Sequence, residues 1–181
     1  MREIEIKAKV RDPAATLAAL EKFGIKLSAP KKQHDIAYGL PDAIPHHPDF
    51  NWLRVRTENN SKIIFTLKRS VTGALDSIEH ETTVDSATEI TAIIKDLGYV
   101  FYSEITKTRR KAQYGDIEIC YDEVQHLGTY IEAEKLCAHD TDAEAVVEEL
   151  WAFFDRLGVS RNDQVTTGYD VLLEQLRQRA A

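Results

Sequence analysis

In Arg2-Glu3-Ile4-Glu5-Ile6-Lys7 charge alternates with isoleucine from Glu3 to Lys7, and the fold turns on which face of that strand is inside. A half-buried strand would place Ile4 and Ile6 on a core and leave Glu3, Glu5 and Lys7 in water. A closed barrel allows the reverse, because its polar face can line an interior while other elements cover the apolar face from outside. Recurrence of the pattern on other strands separates the two readings.

Period-two segments recur at about 2–10, 32–39, 51–58, 62–69, 77–84, 100–111, 115–122 and 129–137, several joined by short polar turns such as Glu58-Asn59-Asn60-Ser61. Eight strands are enough to close a barrel. Helices are marked by their ends. Asp12-Pro13 precedes AATLAALEKF and Gly24, and Ser86-Ala87-Thr88-Glu89 forms a capping box ahead of Gly98. Asp140 or Asp142 opens AEAVVEELWAFFDRL before Gly158, and GYDVLLEQLRQR reads as a final helix. A weak internal repeat supports a reused architecture: an E-x-E strand, a capped helix and a glycine, starting at Glu3, Glu79 and Glu132. The stretch LPDAIPHHPDF, residues 40–50, is expected to form a lid or rim loop.

Taking every second residue along each strand gives the same result repeatedly. The second strand of charge carries Arg54 and Arg56 with Leu53 and Val55 opposite; the next carries Lys62, Thr66 and Lys68 with Ile63, Phe65 and Leu67 opposite. Glu79 and Glu81, Lys107 and Arg109, Glu118 and Asp122, and Glu132 and Glu134 follow. A solvated charged face explains any one of these, since exposed cross-strand pairs are worth only a few tenths of a kcal/mol. It fails for the set, because the apolar residues opposite need cover and the helices supply it on the outside. The expectation is an α+β chain: one domain over 1–181, an eight-stranded antiparallel closed β-barrel with helices packed outside.

Composition narrows the function. No run reaches the roughly 18 apolar residues of a membrane span, and the charged start does not read as a signal peptide, so a cytoplasmic protein is expected. Cys120 and Cys137 lie in no metal-binding spacing and are read as reduced. A formal charge of −7 argues against a general nucleic-acid binder.

A lumen so charged is costly unless ligands satisfy it. Arg and Lys suit a polyanion, and the planar guanidinium matches phosphate oxygens. Carboxylates at i and i+2 point the same way about 6–7 Å apart and suit a hydrated Mg²⁺ or Mn²⁺ that also touches phosphate. Together they describe a triphosphate site.

The ordered series Glu3-Ile4-Glu5-Ile6-Lys7, Asp35-Ile36-Ala37-Tyr38, Leu53-Arg54-Val55-Arg56, Thr66-Leu67-Lys68, Glu79-His80-Glu81, Lys107-Thr108-Arg109, Ile119-Cys120-Tyr121-Asp122 and Leu127 to Glu134 resembles the CYTH-domain proteins of the triphosphate tunnel metalloenzymes. EIEIKAKV, DEVQHLGTYIEAE and the Tyr169 segment look most like the class IV adenylate cyclase branch. The resemblance implies a tunnel that binds a nucleoside or inorganic triphosphate, with members that cyclise ATP, hydrolyse thiamine triphosphate, or hydrolyse tripolyphosphate; a homodimer is left open.

On this reading the protein is a phosphorus–oxygen lyase making cyclic AMP and pyrophosphate, with a triphosphate phosphohydrolase as the alternative. A non-catalytic polyphosphate sensor has little need of E-x-E pairs, which would repel its ligand without metal. Glu3, Glu5, Asp122, Glu132 and Glu134 are the expected metal ligands, and Lys7, Arg54, Arg56, Lys68, Lys107 and Arg109 the triphosphate clamp, with Glu79 and Glu81 as further tunnel acids. Glu5 and Lys7 are placed nearest the reaction; Lys7 could act as a base only if neighbouring cations lowered its pKa. His46-His47-Pro48-Asp49 lacks a third histidine at ligand spacing and is read as a polar loop. Trp52, Trp151, Phe153 and Phe154 are read as core, and Cys120 as a small buried residue on the face of Asp122.

Overall fold

In the computed structural model, which describes residues 1–43, 47, 49–73 and 75–180, eight antiparallel strands close on themselves in the order β1-β5-β4-β3-β2-β6-β7-β8. They are β1 (Arg2–Lys9), β2 (Lys31–Gly39), β3 (Asn51–Glu58), β4 (Lys62–Gly73), β5 (Asp76–Val84), β6 (Val100–Tyr114), β7 (Ile117–Val124) and β8 (Gly128–Cys137). Four helices accompany them: α1 (Pro13–Lys22), α2 (Ala87–Asp96), α3 (Ala143–Arg156) and α4 (Tyr169–Ala180). The rim-loop expectation for 40–50, and with it His46, rests on residues 44–46 and 48, outside the described residues. No described helix is long and apolar enough to cross a membrane.

Local chemistry sets the boundaries. Asp12 accepts from Ala15 N, Ser86 from Glu89 N, and Asp142 rather than Asp140 from Glu144 N and Ala145 N. The β3–β4 hairpin turns on Asn59 and Asn60, both at positive φ (49° and 58°), with Ser61 N donating to Glu58 O at 3.0 Å. Glu58 pairs with Lys62, so the loop is three residues long, and asparagine is the residue that most readily takes the left-handed conformation without being glycine.

Most apolar residues of the strands face outward; Ala37, Trp52, Ile64 and Ile105 instead line the interior. Ile4, Ile6 and Ala8 of β1 join Ile119, Ile131 and Ala133 beneath Leu150, Trp151, Phe153 and Phe154 of α3 and Leu20 of α1. Ile4 and Ile6 are both 1% exposed, and burial of each is worth roughly 2 kcal/mol. Across the barrel, Leu53, Val55 and Tyr38 pack with Ile94 of α2 and with Ile63, Phe65 and Leu67. The barrel therefore has apolar cores outside its wall and a polar interior, the reverse of the half-buried strand.

The wall is completed by a non-strand segment. Among the described residues β1 pairs with β5 through Glu3 and Ile4, and Glu5 N donates to Leu75 O at 2.9 Å; beyond them, Val165 N donates to Lys7 O at 2.8 Å and Ala8 bridges Gln164. This strap follows a 3₁₀ turn at Arg161–Asp163 and leads directly into α4. Its continuation, Gly168 and Tyr169, lines the interior.

Candidate active site

The barrel encloses a cavity of about 500 Å³. Nine Lys or Arg and ten Asp or Glu line it, so an empty lumen carries no positive excess to offer a polyanion; either some carboxylates keep protons or cations enter with the ligand. Strand register then sorts the charges into two groups. Glu5 of β1 lies opposite Glu134 of β8, which lies opposite Glu118 of β7, whereas Lys7 lies opposite Glu132.

In the first group carboxylates crowd together. Carboxylate oxygens of Glu3, Glu5 and Glu134 lie within 4.8 Å of one another. Burial and the neighbouring Glu79 push Glu3 up to about 7, and burial with Glu132 raises Glu5. Burial, a hydrogen bond with Glu118, and the charges of Glu3 and Glu5 push Glu134 up to about 10. Three acids that resist ionisation together are a donor set suited to a hard divalent cation, which would replace their protons. Cys120, fully buried, faces the same space, with Sγ 3.9 Å from Glu118 and from Glu134. Lys111 pairs with Glu118 and lies 4.0 Å from Glu134.

In the second group the acids are already partnered. Arg109 grips both oxygens of Asp122, Nε at 2.7 Å and a terminal nitrogen at 2.5 Å, and also pairs with Glu132. Lys107 Nζ lies 3.2 Å from Asp122, and Lys7 Nζ 3.2 Å from Glu132 and 3.7 Å from Glu5. Burial opposes ionisation of both acids, but the cations outweigh it and hold Glu132 well below the usual carboxylate range and Asp122 below it as well. The same balance depresses Asp35, whose two oxygens each accept from Arg56 at 2.7 Å. On the facing wall Lys68 Nζ is 2.9 Å from Glu79, and Arg54 is 3.6 Å from Glu79 and 3.5 Å from Glu81. There too burial opposes ionisation, and Lys68 and Arg54 bring Glu79 down to about 2.

Every residue expected at the site faces the lumen or its wall, but register divides the five expected metal ligands. Glu3, Glu5 and Glu134 converge; Asp122 and Glu132 belong to the cations. Nor does Lys7 meet the condition for a base. Burial alone would lower its pKa, but Glu132 and Glu5 outweigh burial and raise it, so it stays an ammonium. Lys107 is the lysine that is lowered, by burial and then by Arg109.

Trp151, Phe153 and Phe154 are core, but Trp52 is not in that core. It shares the parity of Arg54 and Arg56, lines the cavity, stacks at a tilt on Tyr102 (4.7 Å between ring centroids), and lies so close to Gly39 that a Cβ there would sit 2.5 Å from its ring. Strand parity was the signal that places it inside, and the same parity reaches Asp35 and Lys111. Tyr169, which enters from the strap, has no such signal.

The geometry agrees with what the chain is similar to. It is 28% identical over 171 residues to "Putative adenylate cyclase MJ0240" of Methanocaldococcus jannaschii, covering 93% of this chain and 97% of that one. Among solved structures, the PH1012 protein of Pyrococcus horikoshii shares the fold at a TM-score of 0.80 and 23% identity, covering 94% of this chain and 98% of that one. A Hippeastrum protein, "Putative adenylyl cyclase HpAC1", described as revealing a dominant triphosphatase activity, superimposes at a TM-score of 0.62 with 19% identity, covering 93% of this chain and 91% of that one. The CYTH domain model matches residues 1–169, and with a closed eight-stranded barrel whose charged residues face inward, the chain belongs to the CYTH domain family.

Proposed function

We propose that the protein is a metal-dependent enzyme acting on a triphosphate seated in the barrel, and that its reaction is cyclisation of ATP to cyclic AMP and pyrophosphate. The observation that carries the metal and triphosphate reading is the split of the lumen into an under-neutralised carboxylate row and a set of fixed cations. Glu3, Glu5 and Glu134 would hold Mg²⁺ or Mn²⁺. When bound there, such an ion would neutralise phosphate oxygens and polarise the P–O bonds that change. Arg54, Arg56, Lys68, Lys107, Arg109 and the ammonium of Lys7 would hold the phosphates and offset charge on the leaving pyrophosphate. Asp122, Glu132 and Asp35 would fix the directions of those cations.

Two features support a nucleoside triphosphate over an inorganic one. The cavity is also lined by Ala37, Trp52, Ile64 and Ile105, apolar surface that an inorganic chain cannot use, and the Methanocaldococcus relative carries a cyclase name. In cyclisation the ribose 3′-oxygen would attack the α-phosphorus as the bond to pyrophosphate breaks. Hydrolysis of the terminal phosphate is the second reading, favoured by the activity described for the Hippeastrum protein.

Purified protein incubated with ATP, thiamine triphosphate or tripolyphosphate, with Mg²⁺, Mn²⁺ or chelator, separates these by product. Cyclic AMP with equimolar pyrophosphate is expected. Orthophosphate without cyclic AMP would overturn cyclisation in favour of hydrolysis, and binding without turnover would overturn both in favour of a sensor.

A further inference from the structure

Tyr169 occupies an unusual position: it is the first residue of α4, it reaches the lumen from the strap, and it is 5% exposed. Its hydroxyl donates to Asp122 Oδ2 at 3.1 Å, the oxygen that also receives Arg109 and Lys107. Its ring carries two ammonium groups, Lys7 Nζ at 4.5 Å and Lys107 Nζ at 5.1 Å from the centroid. The ring is itself fixed edge-on by Tyr130, 5.1 Å away, and the Thr167 carbonyl of the same strap accepts from Lys7 at 3.4 Å.

Charge makes the arrangement informative. Lys7, Lys107 and Arg109 face Asp122 and Glu132, and Lys7 also reaches Glu5 of the carboxylate row at 3.7 Å; with Glu5 given to a metal ion, one positive charge is left over. A carboxylate at the position of Tyr169 would cancel that charge, and an aliphatic side chain would leave both ammoniums without a seat. An aromatic face holds cations electrostatically and adds no negative charge.

We infer that Tyr169 is a positioning residue for the anion clamp, seating Lys7 and Lys107 on an uncharged surface so that both stay fixed yet remain available to phosphate. The seating stands on the geometry alone; its consequence for phosphate rests on the proposed triphosphate site. The strap thereby does more than complete the wall, since it delivers the group that orients cations from β1 and β6.

The test uses the full chain and two substitutions, Tyr169→Phe and Tyr169→Leu, with two measurements. In ¹H–¹³C spectra, ring current should shift the ε-methylene signals of Lys7 and Lys107 upfield in the wild type and in Tyr169→Phe, and the shift should vanish in Tyr169→Leu. Calorimetric titration with tripolyphosphate in Mg²⁺ should show affinity about tenfold or more weaker in Tyr169→Leu, as expected for two lost cation–π contacts. Tyr169→Phe, which loses only the hydroxyl, should fall about two- to threefold. Equal losses in the two variants, or unshifted lysine signals in the wild type, would overturn the inference. A wild type that shows the shifts but binds no triphosphate would instead refute the proposed function while leaving the seating intact.

Discussion

The carboxylate row of Glu3, Glu5 and Glu134 and the cage of Arg109, Asp122 and Glu132 are neighbours in one lumen and meet on β8, which supplies Glu134 to one and Glu132 to the other. They differ in how their charges are met. In the cage each acid receives at least two cationic donors and ionises more readily than in water; in the row, acids face acids and ionise less readily. A protein that needed only stability would have no reason to keep the row. Under the proposed function, the cage is the built part of the lumen and the row is the surface that would take a cation.

Breaking the cage should have the largest effect. Arg109→Met leaves Asp122 and Glu132, 0% and 3% exposed, without their main partner, and the expected cost is about 3–5 kcal/mol, read as a lowered midpoint in urea unfolding. Breaking the row should cost activity and not stability. Glu5→Gln removes one repelling charge, so the metal-free protein should unfold at the same or higher temperature, while metal-dependent turnover falls about 100-fold or more, a loss on the scale of removing a transition-state contact. A large stability loss in Glu5→Gln would erase the distinction between the two groups.

The pH dependence sharpens the comparison, because the two groups have opposite signs. Glu3 and Glu134 have folded pKa values above the ordinary 4.5, so the metal-free fold binds more protons than the unfolded chain and loses stability as pH rises from about 4.5 through 7. A divalent cation displaces those protons. Chelator should therefore lower the melting temperature more at pH 8 than at pH 5, and an equal drop at both would contradict the carboxylate row as the metal site. Glu79 behaves oppositely. With its pKa depressed to about 2 by Lys68 and Arg54 against the penalty of burial, it stabilises the fold above about 4.5 and loses that contribution as pH falls toward 2. Glu79→Gln should flatten that acid limb by about 1–3 kcal/mol, the smallest of these effects.

Much of this was legible in the sequence because a strand has period two. Arg54 and Arg56 against Leu53 and Val55 are enough to say which residues share a face, and helices with apolar stripes say which face is covered. Parity does not say which charges meet. Glu132 and Glu134 are equivalent along β8, and only the register against β1 gives Lys7 to one and Glu5 to the other. Asp122 likewise looks like a metal ligand until Arg109 is found directly opposite it. Trp52 is buried as expected of an aromatic at strand spacing, but on the lumen side and not in the outer cores, and parity is what decides the side. Tyr169 was legible only as part of a resembling segment and not as a site residue, since its place depends on a strap that follows β1 through two backbone contacts, Val165 to Lys7 and Gln164 to Ala8.

The dependence of triphosphate binding on a divalent cation is the most direct measurement of how the two groups work together. Tripolyphosphate titrated into the protein by calorimetry should bind at least tenfold more tightly with Mg²⁺ or Mn²⁺ than with chelator, and in Glu5→Gln that dependence should be lost. Equal affinity with and without the cation in the wild type would contradict the assignment of Glu3, Glu5 and Glu134 to metal and leave the cations alone as the binding site.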